Sequence, residues 1–313
     1  MSASVTAAPA ARDLEVISLV GLAHGTSHFY HLMLPPLFPW LMKDFGLSYT
    51  QAGFLMTVFF VISGVGQAIA GFVVDRVGAR RVLLFGIGTL ALSAVVLALA
   101  QSYTMLLLCA AVAGLGNSVF HPADFTLLNR RVATTRLGHA FSVHGLAGNL
   151  GWAAGPVFMA GIAYQADWQT AAWGAAVVGS VVLALLILRR RSLEDAAGAA
   201  ASASAPAAVP VGRFVFLSSG AVWLCFLFFF LTTAAFGILQ NYAPPILGNI
   251  YGLSLATATA ALTAYLLGSA AGMVTGGFIA ARTAASERVI ALTLLVAATA
   301  AVVLSLGIVP AAV

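Results

Sequence analysis

Charge is what this chain of 313 residues has least of: Lys and Arg together number 14, Asp and Glu 9, so 7% of residues are charged against 61% hydrophobic. A soluble domain is typically about a quarter charged and a little under half apolar. Too few polar side chains remain to cover a water-facing surface, which sets aside a soluble enzyme, a nucleic-acid binder and a disordered scaffold. Cysteine is equally scarce. Cys109 and Cys225 stand alone in apolar runs, so neither a disulfide framework nor a zinc site is indicated. Met1 to Ala11 hold no basic stretch and no small-residue cleavage site, so no removable signal peptide is expected.

What is present is a series of long charge-free stretches. No Asp, Glu, Lys or Arg occurs between Glu15 and Lys43, Asp44 and Asp75, Arg81 and Asp124, Arg136 and Asp167, Asp167 and Arg189, Arg213 and Arg282, or after Arg288. A membrane-spanning helix needs about 20 largely apolar residues, and in lipid the backbone must satisfy its own hydrogen bonds. The runs are too long and too uniformly apolar for barrel strands. Two of them have room for a pair of spans, turning at Gln101-Ser102-Tyr103 and from Gly248-Asn249 to Gly252. Nine spans are therefore expected, over 16–42, 49–74, 81–100, 104–128, 138–164, 168–189, 213–244, 255–281 and 288–312. The expected fold class is an all-α polytopic membrane protein.

Placed between these spans, 13 of the 14 basic residues fall on one side of the membrane, and Lys43 is the exception. By the positive-inside rule that side is the cytoplasm, with residues 1–15 a cytoplasmic N-terminus. The net charge of +5 thus reads as a topology signal, not as affinity for nucleic acid. A multi-pass protein of the cell membrane is expected, the inner membrane if the source is bacterial.

One stretch, 192–212, reads as a linker, because it is rich in Ala, Ser and Pro and has no apolar periodicity. It separates a six-span bundle over 16–191 from a partial bundle over 213–313. The two parts share a pattern. Gly46-Leu47-Ser48 matches Gly252-Leu253-Ser254 at an offset of 206, and Gly71-Phe72 with Arg76 matches Gly277-Phe278 with Arg282. Upstream, Pro35-Pro36-Leu37 resembles Pro244-Pro245-Ile246. Parallel repeats of this kind are an architecture of secondary transporters.

Gly71-Phe-Val-Val-Asp75-Arg76-Val-Gly78-Ala-Arg80-Arg81 closes the second span. Gly71 is expected to let neighbouring backbones approach, and Asp75 to hold a helix N-terminus or a basic partner. The segment resembles the loop 2–3 signature of the major facilitator superfamily, with Ala79 in place of an Arg. Gly114-Leu-Gly-Asn117-Ser-Val-Phe120-His121-Pro122 resembles a segment of fosmidomycin-resistance-type members. Gly145-Leu-Ala-Gly148-Asn149-Leu-Gly151-Trp-Ala-Ala-Gly155-Pro156 is similar to their span 5 stretch and to the Gly-Pro motif of drug:proton antiporters. The resemblance implies two bundles rocking about a central cavity and a twelve-span architecture, of which nine are present here. A truncated chain is the expected account. The span 4 Arg of many proton-coupled exporters would be Ala110 here, so coupling through that residue is absent.

Ionisable groups inside spans are costly and mark functional positions. His24, His28 and His31 share one helical face, with His28 near the bilayer midplane. These three, with Asn149, Asn117 and Gln67, are the expected substrate or proton pathway. For His24 and His31 a neutral, hydrogen-bonded structural role is equally open, as is interhelix bonding for the amides. His121, Asp124 and His144 are expected to meet at the cytoplasmic mouth as a gate or coupling unit; alternatively Asp124 or His121 satisfies backbone freed by Pro122. No metal site is expected, because the depths of span 1 and Asp124 do not match. No cofactor is expected either. His24-Gly-Thr-Ser-His28 has metalloprotease spacing without the glutamate, so the chain does not read as an enzyme. The expected function is proton-coupled transport of a small organic solute, efflux before uptake. A non-transporting remnant is the alternative from another class.

Overall fold

The computed structural model describes residues 9–194, 218–283 and 285–308, and every regular element among them is helical. The helices are α1 (Pro9–His31), α2 (Phe38–Phe45), α3 (Tyr49–Val77), α4 (Ala79–Ala98), α5 (Tyr103–Asn117), α6 (Phe120–Arg131), α7 (Leu137–Gln165), α8 (Trp168–Leu188), α9 (Gly220–Tyr251), α10 (Leu255–Arg282) and α11 (Ser286–Ser305). Counting α5 with α6 as one crossing, eight segments among the described residues are long and apolar enough to span a membrane. Most of the expected linker, and Arg213, lie outside the described residues.

Three of the expected spans need correction. The first is not continuous: α1 stops at His31, a 3-10 turn follows at Pro35–Leu37, and α2 begins at Phe38. Pro35 and Pro36 have no amide to donate, so the carbonyls of His31 and Leu32 lose their helical partners. Its histidines also keep α1 off the apolar eight. The fourth span divides into α5 and α6 at Ser118–Val119, where Pro122 cannot donate to the Ser118 carbonyl. The seventh runs on through Pro244-Pro245 and Gly248-Asn249 to Tyr251, and the turn comes only at Gly252.

Local chemistry explains the shared Gly-Leu-Ser pattern. Gly46 ends α2 at φ 63° and Gly252 ends α9 at φ 67°, a left-handed conformation that glycine adopts without steric cost. Two residues on, Ser48 caps α3 by accepting from the Gln51 amide, and Ser254 caps α10 by accepting from the Thr257 amide, each at 3.2 Å. At Ser48 the Gln51 side chain also accepts from the Ser48 amide at 2.9 Å, completing a capping box.

The core lies in the first part. α4 packs between α5 and α8, α1 lies along α7, and α3 lies on α5; Leu83, Ile87, Leu90, Leu97, Leu106 and Cys109 are fully buried. α1 and α7 meet through glycine. A Cβ at Gly25 would stand 2.9 Å from the Ala147 carbonyl oxygen, one at Gly155 2.9 Å from that of Phe29, and one at Gly151 would overlap the Gly25 carbonyl. The Gly-Pro stretch of α7 is thus a close-packing surface for α1. By contrast, a Cβ at Gly71 would have nothing within 4 Å among the described residues, which do not make the expected backbone approach there.

One end of the first part gathers the basic residues into ion pairs: Arg136–Asp13 at 2.8 Å, Arg80–Glu194 at 3.0 Å, Arg189–Glu15 at 3.2 Å and the looser Arg130–Asp75 at 3.9 Å. Arg76 is exposed at this end, and Gly78 turns the chain from α3 to α4 at φ 93°. At the opposite end Trp168 Nε1 donates to Asp44 Oδ2 at 2.8 Å. Within the first part, the charge segregation read from the sequence is therefore a property of the fold.

Candidate functional site

Five of the six histidines converge. His24, His28 and His31 come from one face of α1, His121 from α6 and His144 from α7. Ring centroids lie 4.8 Å apart for His31–His28, 4.2 Å for His28–His24, 3.5 Å for His24–His144 and 5.3 Å for His24–His121. The glycines of α7 permit this. A Cβ at Gly148 would stand 2.7 Å from His28 Nδ1 and 3.0 Å from His24 Nε2, so the imidazoles occupy the space a side chain would take.

Asp124 sits among them with 0% exposure. Its Oδ2 lies 3.1 Å from both His24 Nδ1 and His144 Nε2. Among the described residues the other oxygen, Oδ1, is buried without a hydrogen-bond partner, and so is His28 Nδ1. Burying a carboxylate is expensive unless partners replace its water, so this half-satisfied group marks a strained place in an apolar bundle. The sequence expectation that His121, Asp124 and His144 meet holds for the Asp124–His144 pair. His121 Nδ1 instead pairs with Gln67 Oε1 at 2.8 Å. The expected mismatch in depth between α1 and Asp124 is wrong, because His24 reaches the carboxylate directly.

Toward the other end of the file, His31 is held by a chain whose protons can be assigned. An indole donates and never accepts, so Trp152 Nε1 donates to His31 Nδ1 at 3.2 Å. His31 Nε2 therefore carries the ring proton and donates to Asn117 Oδ1 at 2.7 Å, and Asn117 Nδ2 donates to Ser63 Oγ at 2.7 Å. Trp152 and Ser63 were not singled out from the sequence. For Trp152 a signal existed: it lies three residues after Asn149 on the same turn of a glycine-rich helix. Asn149 donates to the Gly145 carbonyl at 3.2 Å, touches Met273 Sδ of α10 at 3.8 Å, and leaves its buried Oδ1 unpartnered.

Beyond His31 opens a cavity of about 420 Å³ lined from both parts of the chain, including Leu32, Pro36, Pro156, Gln240, Asn241 and Leu262. Pro244 and Pro245 stand four residues after Gln240 and Asn241, so the carbonyls of those two residues lose their helical donors. Their side chains leave Gln240 Nε2 and Asn241 Oδ1 buried and unpartnered as well. Among the described residues no lining residue of this cavity is Asp, Glu, Lys, Arg or His. The Ala110 position is fully buried in the core, as the apolar replacement there allows.

Long apolar helices around a buried polar file, with a cavity between two parts of one chain, define a polytopic helical protein of transporter type. The sequence profile of the Major Facilitator Superfamily matches residues 20–313. The chain is 28% identical over 280 residues to the fosmidomycin resistance protein of Escherichia coli (strain K12), covering 88% of this chain and 67% of that one. It is 27% identical over 175 residues to the uncharacterized MFS-type transporter YfnC of Bacillus subtilis (strain 168), covering 56% of this chain and 42% of that one. A crystal structure of a mutant peptide transporter POT in complex with sulfate is similar in fold, with a TM-score of 0.51 at 16% identity over 74% of this chain and 49% of that one. The chain thus spans about two thirds of the first relative's length and under half of the other two. It belongs to the major facilitator superfamily.

Proposed function

We propose that this chain is, or is part of, a secondary active transporter that moves a small organic solute by alternating access. The six-span bundle of 16–191 and the spans of 213–313 would rock about the cavity between them. The observation that supports this best is the file of buried polar groups along α1. His31, His28 and His24 descend α1 over roughly 10 Å at 1.5 Å per residue to Asp124 and His144, and Leu32, the residue after His31, lines the cavity. This file is our proposed path for solute and coupling ion, with Gln67, Asn117 and Asn149 along its sides and His121, Asp124 and His144 at its inner mouth.

Protons as the driving ion, and efflux as the direction, rest on the likeness to drug:proton antiporters and to a relative named for fosmidomycin resistance. Uptake by proton symport is the second reading, favoured by Ala110 where many exporters carry arginine. The basic end faces the cytoplasm in this proposal, in a bacterial inner membrane. Fosmidomycin is the first probe to use, in proteoliposomes with an imposed pH difference. Flux that follows the pH difference and is lost in His28→Ala and Asp124→Asn supports the proposal. Flux indifferent to the pH difference removes the proton, and flux unchanged in both variants removes the site.

A further inference from the structure

We propose that His24, Asp124 and His144 bind a single divalent transition-metal ion of the zinc or cobalt class. The ligand atoms of these three buried residues all lie within 4.8 Å of one another, and each imidazole nitrogen stands 3.1 Å from Asp124 Oδ2. Metal–nitrogen and metal–oxygen bonds of about 2.0–2.2 Å in a tetrahedron put neighbouring ligand atoms about 3.3 Å apart. The two edges to Asp124 Oδ2 are within a few tenths of an ångström of that length, and the third, between the imidazoles, is under 4.8 Å. Two imidazoles and one carboxylate are a nitrogen-and-oxygen set suited to such ions, and three protein ligands leave the fourth position open.

The unpartnered atoms are a second, independent observation. A metal on His24 Nδ1 requires that ring to carry its proton on Nε2 and to donate it to a neighbour, as metal-bound imidazoles do. His28 Nδ1 is buried with no partner among the described residues, and it lies with His24 Nε2 against Gly148. For neutral imidazoles the change is a proton moved from one nitrogen to the other within His24 and within His144, with none released. The ion would also supply the positive charge that a buried carboxylate with a bare Oδ1 lacks. A second triad, His24, His28 and His121, is near enough to compete for the same ion. It has no carboxylate, so the first triad is the stronger site.

The test uses the full chain, purified without a histidine tag, stripped of metal and held in detergent with no gradient and no solute. Its outcome is therefore independent of whether the chain transports anything. Titration with Zn²⁺ by calorimetry is expected to give one equivalent, and Co²⁺ the visible ligand-field spectrum of a tetrahedral nitrogen–oxygen site. His144→Gln and Asp124→Asn should each weaken binding at least about tenfold. His139→Gln, which alters the exposed sixth histidine, should leave it unchanged. Zn²⁺ should raise the melting temperature of the parent and of His139→Gln, and not of His144→Gln, which also reports whether that variant folds. Absence of binding to the parent overturns the proposal, as does binding that survives His144→Gln. Loss of binding only in His28→Gln and His121→Gln would move the ion to the second triad and overturn this assignment.

Discussion

The two parts of this chain use the same local patterns to different ends. In the first, six spans enclose a core, and the most apolar windows of α4 and of the α5–α6 span are each 56% buried. In the second, no residue in the corresponding windows of α9 or α11 is buried, and Phe226, Phe229 and Phe230 are all more than half exposed. α10 is the exception because it lies on α7, where Leu262 and Leu266 join Leu32 and Ala153 in a small buried cluster. Apolar composition is shared by both parts. Burial is decided by whether another helix offers a complementary face, since in lipid there is no hydrophobic drive between helices and packing itself must hold them.

The sharpest way to break this comparison is a pair of truncations. Phe59→Ala in α3, where the ring is 2% exposed, should cost about 3–5 kcal/mol. Phe229→Ala in α9, 65% exposed, should stay within about 0.5 kcal/mol. Thermal unfolding in detergent reads both, and a large cost at Phe229 would reveal a covering surface on α9. A glycine pair comes next. Gly151→Ala drives a methyl into the Gly25 carbonyl and should cost about 1–3 kcal/mol. Gly268→Ala, with open space at its Cβ, should be neutral or stabilise by up to about 1 kcal/mol. Equal effects would show that α1 and α7 are not locked by close approach.

The repeated caps sharpen the comparison at smaller scale. Ser48→Ala and Ser254→Ala should each cost about 0.5–2 kcal/mol, the first more because it also breaks a capping box. The smallest effect concerns Asp167, whose side chain accepts from the Thr170 amide at 2.6 Å at the start of α8. Hydrogen bonds from Thr170 lower its carboxyl below the usual range. A lowered carboxylate contributes stability above its unfolded value, and that contribution is lost as pH falls through the folded one. Amide exchange at Thr170 should therefore quicken at acid pH in the parent and show no such pH step in Asp167→Ala, once the ordinary pH dependence of exchange is subtracted.

Much of the fold was legible because the bilayer makes composition a strong signal. Charge-free runs located the spans, and the crossings over α4, α7 and α8 match their expected ranges within two residues. The misread spans all fall on proline. Pro35-Pro36 stops α1, whereas Pro244-Pro245 is absorbed inside α9, and nothing in the two dipeptides distinguishes them. The site was legible in its members more than in its arrangement. Asp124 and the five histidines stood out as ionisable groups within spans. That His24 pairs with Asp124 could not be read, since depth along a helix says little about which neighbour crosses it there. The crossing is made by Gly25 and Gly151, which bring α1 against α7 closely enough for His24 and His144 to share one carboxylate oxygen.

By itself the sequence determined the medium, the positions of the long apolar segments, the segregation of charge in the first part and the paired Gly-Leu-Ser turns. These follow from transfer free energies and backbone conformation, which are local. Only the tertiary structure decided that α1 and α7 touch through glycine, that His24 and His144 share one oxygen of Asp124, and that its other oxygen and His28 Nδ1 are left without partners among the described residues. Contacts between residues about 20 to 126 positions apart depend on how helices cross, and crossing is set by the shapes of facing surfaces, which no single segment contains.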